Sequence, residues 1–159
     1  MFHTADLCDQ FREQLQVADP ILRHYGKKRS FTGPISTIKV FEDNVLVKSS
    51  LESIPKGHVL VVDGGGSTRC ALIGDNLAEI AISRELAGIV VYGCIRDSSF
   101  INEMNIGIRA LGTNPMKSIK QGKGDVDIPL QFAGIVFKPG HTLYADGDGI
   151  IVSETCLLT

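Results

Sequence analysis

The chain has 159 residues, 43% hydrophobic and 21% charged, with a formal net charge of −2. This fits one soluble globular domain whose core needs no disulfide or structural metal, and it excludes the basic footprint of a direct nucleic-acid binder. No apolar run reaches membrane-spanning length, and Cys8, Cys70, Cys94 and Cys156 form no CxxC pair, which excludes a zinc ribbon and a compact disulfide framework. A reducing compartment follows from that cysteine usage, and the opening MFHTADLCDQF reaches acidic residues too early for a signal peptide, so a cytoplasmic protein is expected.

In chain order, Thr4 to about Val17 reads as a helix, with Leu7, Cys8, Phe11 and Leu15 at helical spacing. Asp19-Pro20 reads as a second helix start that stops near Gly26, and Lys27-Lys28-Arg29 as a solvated loop. Phe31 to Phe41 suits a strand, Asn44 to Ser53 a helix, and His58 to Gly66 a buried strand running into a glycine turn. Asp75 to about Ala87 reads as a helix, Gly88 to Ile95 as a strand, Ser98 to Met104 as a short helix and Ile106 to Leu111 as another strand. Asp125 to Leu130, Ala133 to Phe137 and Gly149 to Ser153 read as strands set apart by KPGH and YADGDG turns. The middle alternates strand and helix while the end is strand and turn. The expected fold class is therefore α/β, a single domain over 1–159 with mixed β-sheets and packed helices, not a purely parallel doubly wound sheet.

VLVVDGGGS looks at first like a nucleotide or S-adenosylmethionine motif. Its glycines are adjacent, however, where the Rossmann pattern spaces them as G-x-G-x-x-G, and the next strand ends in Gly93-Cys94-Ile95-Arg96 instead of an acid. A tight turn needing positive φ is the simpler reading. In YADGDG, Asp146 and Asp148 are too closely spaced for an EF-hand loop and read as a hairpin turn. His3, His24, His58 and His141 share no metal-ligand spacing, and Lys48, Lys56, Lys117, Lys120 and Lys123 read as surface residues.

GDNL, Gly74 to Leu77, places a glycine before a helix whose first N–H groups can receive an anion; alone, this is equally an N-cap and a turn. Read with Arg96-Asp97 it becomes more specific. A helix start and the end of the following parallel strand share one edge of a sheet, where ligands bind. Two carboxylates and a guanidinium would then face one crevice, and a carboxylate with waters is how Mg²⁺ is usually held.

Asp75, twenty intervening residues and Arg96-Asp97 resemble the D-x20-R-D signature of the class II 4-hydroxy-4-methyl-2-oxoglutarate (4-carboxy-4-hydroxy-2-oxoadipate) aldolases. The resemblance runs through VLVVDGGGS and GDNLAEIA to LYADGDGIIVSE, and extends to a sister group, regulator of ribonuclease E activity A. It implies an RraA-like, swivelling β/β/α fold and a retro-aldol lyase, with oxaloacetate decarboxylation through the same pyruvate enolate. Asp97 would hold a divalent cation, Mg²⁺ or Mn²⁺, and Arg96 would stabilise the enolate. Gly74, Asp75, Asn76 and Leu77 would bind the substrate carboxylate through backbone N–H groups, and Asp75 would position or deprotonate a water that takes the hydroxyl proton. Arg69 is a candidate for the second carboxylate, with a surface or interface ion pair as its alternative. The implied partners are a small oxo acid and further copies of the chain in a homotrimer, or a hexamer as the larger assembly, with part of the pocket from a neighbour. The sister group implies instead a protein that inhibits ribonuclease E by direct binding.

Overall fold

The computed structural model describes residues 1–159. Its elements are α1 (Thr4–Phe11), β1 (Leu15–Val17), β2 (Arg23–Tyr25), β3 (Phe31–Lys39), α2 (Val45–Ser53), β4 (Val59–Asp63), β5 (Ala71–Ile73), α3 (Asp75–Ser83), β6 (Gly88–Ile95), α4 (Ser98–Ile101), β7 (Ile108–Thr113), β8 (Asp125–Val126), β9 (Leu130–Phe132), β10 (Ile135–Phe137), β11 (Thr142–Asp146) and β12 (Gly149–Ser153). The main sheet runs β1-β12-β11-β3-β4-β6-β7-β2, with β5 also paired to β6 and β8 to β3; β9 and β10 form a separate hairpin. β3, β4, β6 and β7 are mutually parallel, while β11, β12 and β1 are antiparallel, so the expected mixed α/β sheet is present.

Residue alternation builds the layers. Leu60, Val62, Ile89 and Val91 point to one face and pack with Val47 and Leu51 of α2 and Leu77, Ala78 and Ala81 of α3. Val59, Val61 and Val90 point the other way, onto Phe132, Phe137, Leu143 and Val152 of the antiparallel strands. β4 and the parallel part of the sheet are thus covered on both sides, which is why VLVVD is apolar almost throughout. α1 covers the outer face of the β11–β12 ribbon through Leu7, Tyr144 and Ile151.

Several boundaries differ from the sequence reading. The first helix stops at Phe11 and Leu15–Val17 is a strand, because residues at helical spacing are recruited as an edge by β12. Asp19-Pro20 starts no helix: the Ala18 and Asp19 N–H groups donate to the Ile150 and Ala133 carbonyls, at 2.9 and 2.8 Å, and the chain goes on into β2. α3 ends at Ser83 instead of Ala87, with Glu85 in the left-handed region at φ 55°. α4 is one turn, and β7 begins at Ile108, two residues after the expected start, and runs on to Thr113. The segment expected as a strand from Asp125 to Leu130 is interrupted by Asp127 at φ 58°, so β8 holds two residues and Leu130 opens β9. Ala133-Gly134, expected inside a strand, is the β9–β10 turn with φ of 53° and 74°.

YADGDG is the β11–β12 hairpin, where the Asp146 carboxylate accepts the Asp148 N–H at 2.9 Å and both the N–H and hydroxyl of Thr4 at 2.7 Å. No helix is long and apolar enough to cross a membrane. All four cysteines are unbonded; Cys70 and Cys94 are buried, which pushes their thiols up in pKa.

Candidate active site

β5 leads into α3 and α3 into β6, and β5 lies parallel to β6 with Ile73 opposite Ile95. This crossover brings the start of α3 beside the end of β6, and the Arg96 N–H donates to the Ile73 carbonyl at 2.9 Å. Asp97 turns the chain in the left-handed region, at φ 57° and ψ 36°, which aspartate tolerates better than most residues.

Asp97 occupies the N-cap position of α4 but makes no capping bond there. Its Oδ2 instead accepts the Asp75 N–H at 3.1 Å, capping α3 from across the crevice. The N-cap residue of α3 is Gly74, which has no side chain to do this. Its missing Cβ also makes room, since a Cβ there would stand 2.7 Å from Asp97 Oδ2. The first bond within α3 runs from the Ala78 N–H to the Gly74 carbonyl, so Asn76 and Leu77 carry the N–H groups that a helix start leaves open.

Gly74, Asp75, Asn76, Leu77, Arg96 and Asp97 all line one pocket of about 570 Å³. These six residues, expected at the site, are therefore brought together. The half-buried guanidinium of Arg96 makes no ion pair; the chain's two pairs are Lys56–Glu85 and Arg69–Glu42. Asp97 Oδ1 and the Asp75 carboxylate receive no hydrogen bond from the chain, so the site holds charge that the fold does not use.

The donor set fits a hydrated hard cation. A free carboxylate oxygen on Asp97, with Asp75 nearby and an open pocket for waters, suits Mg²⁺ or Mn²⁺. No cluster of three or more His, Cys, Asp or Glu ligands exists, as a closed zinc site would require.

Arg69 is not at the pocket. Its Nε pairs with Glu42 Oε2 at 2.7 Å and its guanidinium lies over the Phe41 ring, so the ion-pair alternative holds. The glycine turn is likewise structural. The Gly65 N–H donates to Asp63 Oδ1 at 2.8 Å, and Cβ atoms at Gly65 and Gly66 would meet the rings of Phe41 and Tyr92 at 2.7 and 3.0 Å.

The sequence reading missed further residues of the lining. Lys48 of α2 and Lys117, Ser118 and Lys120 of the loop after β7 line the same pocket. That loop is held from below: the Ala71 N–H donates to the Met116 carbonyl at 2.8 Å, and the Ile119 N–H to the Glu42 carbonyl at 2.9 Å. Buried Asp43 fastens it further, with Oδ2 accepting the N–H groups of Gln121 and Lys123 at 2.9 and 3.2 Å and Oδ1 that of Val45 at 3.1 Å. Burial opposes ionisation of Asp43, but these backbone donors outweigh it and hold its pKa below the usual 3.8.

Its stabilising contribution is therefore complete above the unfolded value and disappears as pH falls through the lower folded value. Asp43→Asn should cost about 2–3 kcal/mol in urea unfolding at neutral pH. The gap between the two proteins should close as the pH is taken below about 3.8.

Residues 4–152 match the RraA-like family, described as Aldolase/RraA. A relative in Aromatoleum aromaticum, named "Putative 4-hydroxy-4-methyl-2-oxoglutarate aldolase", is 55% identical over 99% of each chain. A crystal structure described as S-adenosylmethionine: 2-dimethylmenaquinone methyltransferase from Geobacillus kaustophilus HTA426 superposes with a TM-score of 0.97 at 55% identity, covering 98% of this chain and 97% of that one. The RNA-processing inhibitor RraA from Thermus thermophilis superposes with a TM-score of 0.93 at 43% identity, covering 97% of this chain and 93% of that one.

Proposed function

The chain belongs to the RraA-like (Aldolase/RraA) family, and from that we infer that it is a divalent-metal-dependent lyase. Its substrate would be 4-hydroxy-4-methyl-2-oxoglutarate, cleaved to two molecules of pyruvate. The observation that carries this reading is the set of Asp75, Arg96 and Asp97 around one pocket, with no ion pair among them.

In the reaction, the bond between C3 and C4 breaks and its electron pair stays on C3 as the enolate of one pyruvate. The 4-hydroxyl loses its proton and becomes the ketone of the other pyruvate, and C3 then takes up a proton, so atoms and electrons balance. The open N–H groups of Asn76 and Leu77 receive the carboxylate of the 2-oxo end. Arg96 faces the enolate oxygen and stabilises its growing charge. Asp75 accepts the hydroxyl proton through a water. Asp97 would hold a divalent cation, which when bound would supply Lewis-acid stabilisation of the same charge. Oxaloacetate would lose carbon dioxide by the same route, because only the departing fragment differs.

Pyruvate release, coupled to lactate dehydrogenase, tests this. Turnover is expected with Mg²⁺ or Mn²⁺, a drop of at least about 10²-fold with excess chelator, and recovery when the cation is restored; turnover unaffected by chelator would refute the cation dependence.

A second reading, a regulator that binds ribonuclease E, is favoured by the 43% identical RNA-processing inhibitor. It would use an outer face instead of the pocket, and a direct binding measurement with ribonuclease E is its test. The methyltransferase description of the Geobacillus structure finds no parallel feature at the glycine turn, which is packed against Phe41 and Tyr92.

A further inference from the structure

We propose that the cavity between the β1–β2 linker and the β11–β12 turn is a binding site for an α-amino acid with a small apolar side chain, its carboxylate on Arg109 and its ammonium between Asp19 and Asp148. The site shares no residue with the candidate active site and does not depend on the lyase reading.

Arg109 is the first reason. It stands on β7, is only 6% exposed, and forms no ion pair. Its hydrogen bonds all go to neutral atoms: Nε donates to His24 Nδ1 at 3.1 Å, and Nη2 to the carbonyls of Arg29 and Asp146 at 2.9 and 2.7 Å. His24 is the neutral imidazole, since its Nδ1 accepts and its Nε2 donates to the Gly26 carbonyl at 2.7 Å. Asp146 offers Arg109 its carbonyl and not its carboxylate, which is taken up by Thr4 and the Asp148 N–H. Nη1 is left without a partner. The sole shut-in polar side-chain atom lacking one is Ser118 Oγ, so Nη1 must be open. The opening is a cavity of about 200 Å³ that Arg109 lines. A buried guanidinium with no counter-charge is costly, and a carboxylate on its free edge offsets that cost.

The rest of the lining is the second reason. Asp19 and Asp148 line the same cavity, and neither side chain makes a hydrogen bond or ion pair within the chain. They oppose a lone anion, as Arg109 opposes a lone cation. A small molecule carrying both charges satisfies all three, and an α-amino acid carries them on adjacent groups. Val17, Leu22 and Ile150 also line the cavity and would surround a short aliphatic side chain. The volume is that of about seven waters, which suits alanine to valine in size.

The third is rigidity. The Ala18 and Asp19 N–H groups are fastened to the Ile150 and Ala133 carbonyls, and the Asp148 N–H to the Asp146 carboxylate. Both acids are therefore held in place before a ligand arrives.

Calorimetry on the full chain, without added metal, would compare L-valine with L-valinamide, which lacks the negative charge, and 3-methylbutanoate, which lacks the positive one. L-Valine should bind with a Kd of about 1 mM or tighter, and each analogue about tenfold more weakly or worse. D19N/D148N should weaken L-valine about tenfold and leave 3-methylbutanoate no weaker. R109Q should weaken L-valine and 3-methylbutanoate alike. Because R109Q also cuts internal hydrogen bonds and can cost the fold, D19N/D148N, whose side chains hold nothing in the chain, carries the decision. R96Q, in the other pocket, should leave the affinity for L-valine within about twofold. Absence of saturable L-valine binding up to about 10 mM, equal binding of either analogue, an unaffected D19N/D148N, or loss of binding in R96Q overturns the site.

Discussion

Asp97→Asn should lower kcat/KM for pyruvate release by about 10³-fold while leaving the protein folded. Asparagine suits the test because it tolerates the left-handed backbone at φ 57° and keeps an oxygen that can accept the Asp75 N–H. The cap on α3 then survives and only the negative charge is removed. Alanine would confound the two, since it strains the turn and leaves the helix start uncapped. The decisive comparison adds chelator to both proteins. If the charge acts through the cation, the variant should be nearly indifferent to chelator, because the two losses are one loss counted twice. A variant with wild-type turnover would remove Asp97 from the mechanism.

Gly74→Ala should cost about 10²-fold in kcat/KM with little change in stability. The backbone at Gly74, φ −123° and ψ −170°, is extended and open to alanine, so no conformational penalty is expected. The effect comes from space: the new methyl would stand 2.7 Å from Asp97 Oδ2 and 3.5 Å from Arg96 Cγ. Carboxylate or helix start must shift, and the distance between the two halves of the site changes. Matched urea curves beside the kinetic loss would locate the damage at the site; a fully active variant would show that the close approach is dispensable.

How far the site was legible depends on how locally it is built. Asp75, Arg96 and Asp97 could be found from spacing because a strand–helix–strand crossover dictates that a helix start meets the next strand's end. The role of Gly74 could not, since nothing in GDNL says that a carboxylate from position 97 would press against it. The lysines of the pocket lining were less visible still. Lys117 and Lys120 reach the pocket through contacts of their loop with Ala71, Glu42 and Asp43, more than forty residues earlier. No periodicity in the loop announces those tethers. The loudest feature, three consecutive glycines, serves only the turn, because two aromatic rings fill the space that it opens.

The fold shows the same division. The buried strands β4 and β6 were readable because both of their faces are covered and both are apolar. β1, β2 and β5 have three residues each, too few to display a period, and are strands because a neighbour offers them an edge.

β3 gives the molecule a property that neither of its layers would have alone. Its first residues bond to β11 in one sense and its later ones to β4 in the other, so a single nine-residue segment belongs to both halves. Pulling the two layers apart would have to break one continuous strand away from one of its neighbours. The crevice at the end of β6 therefore sits on a strand frame that both layers share, which suits a site built from the ends of several elements.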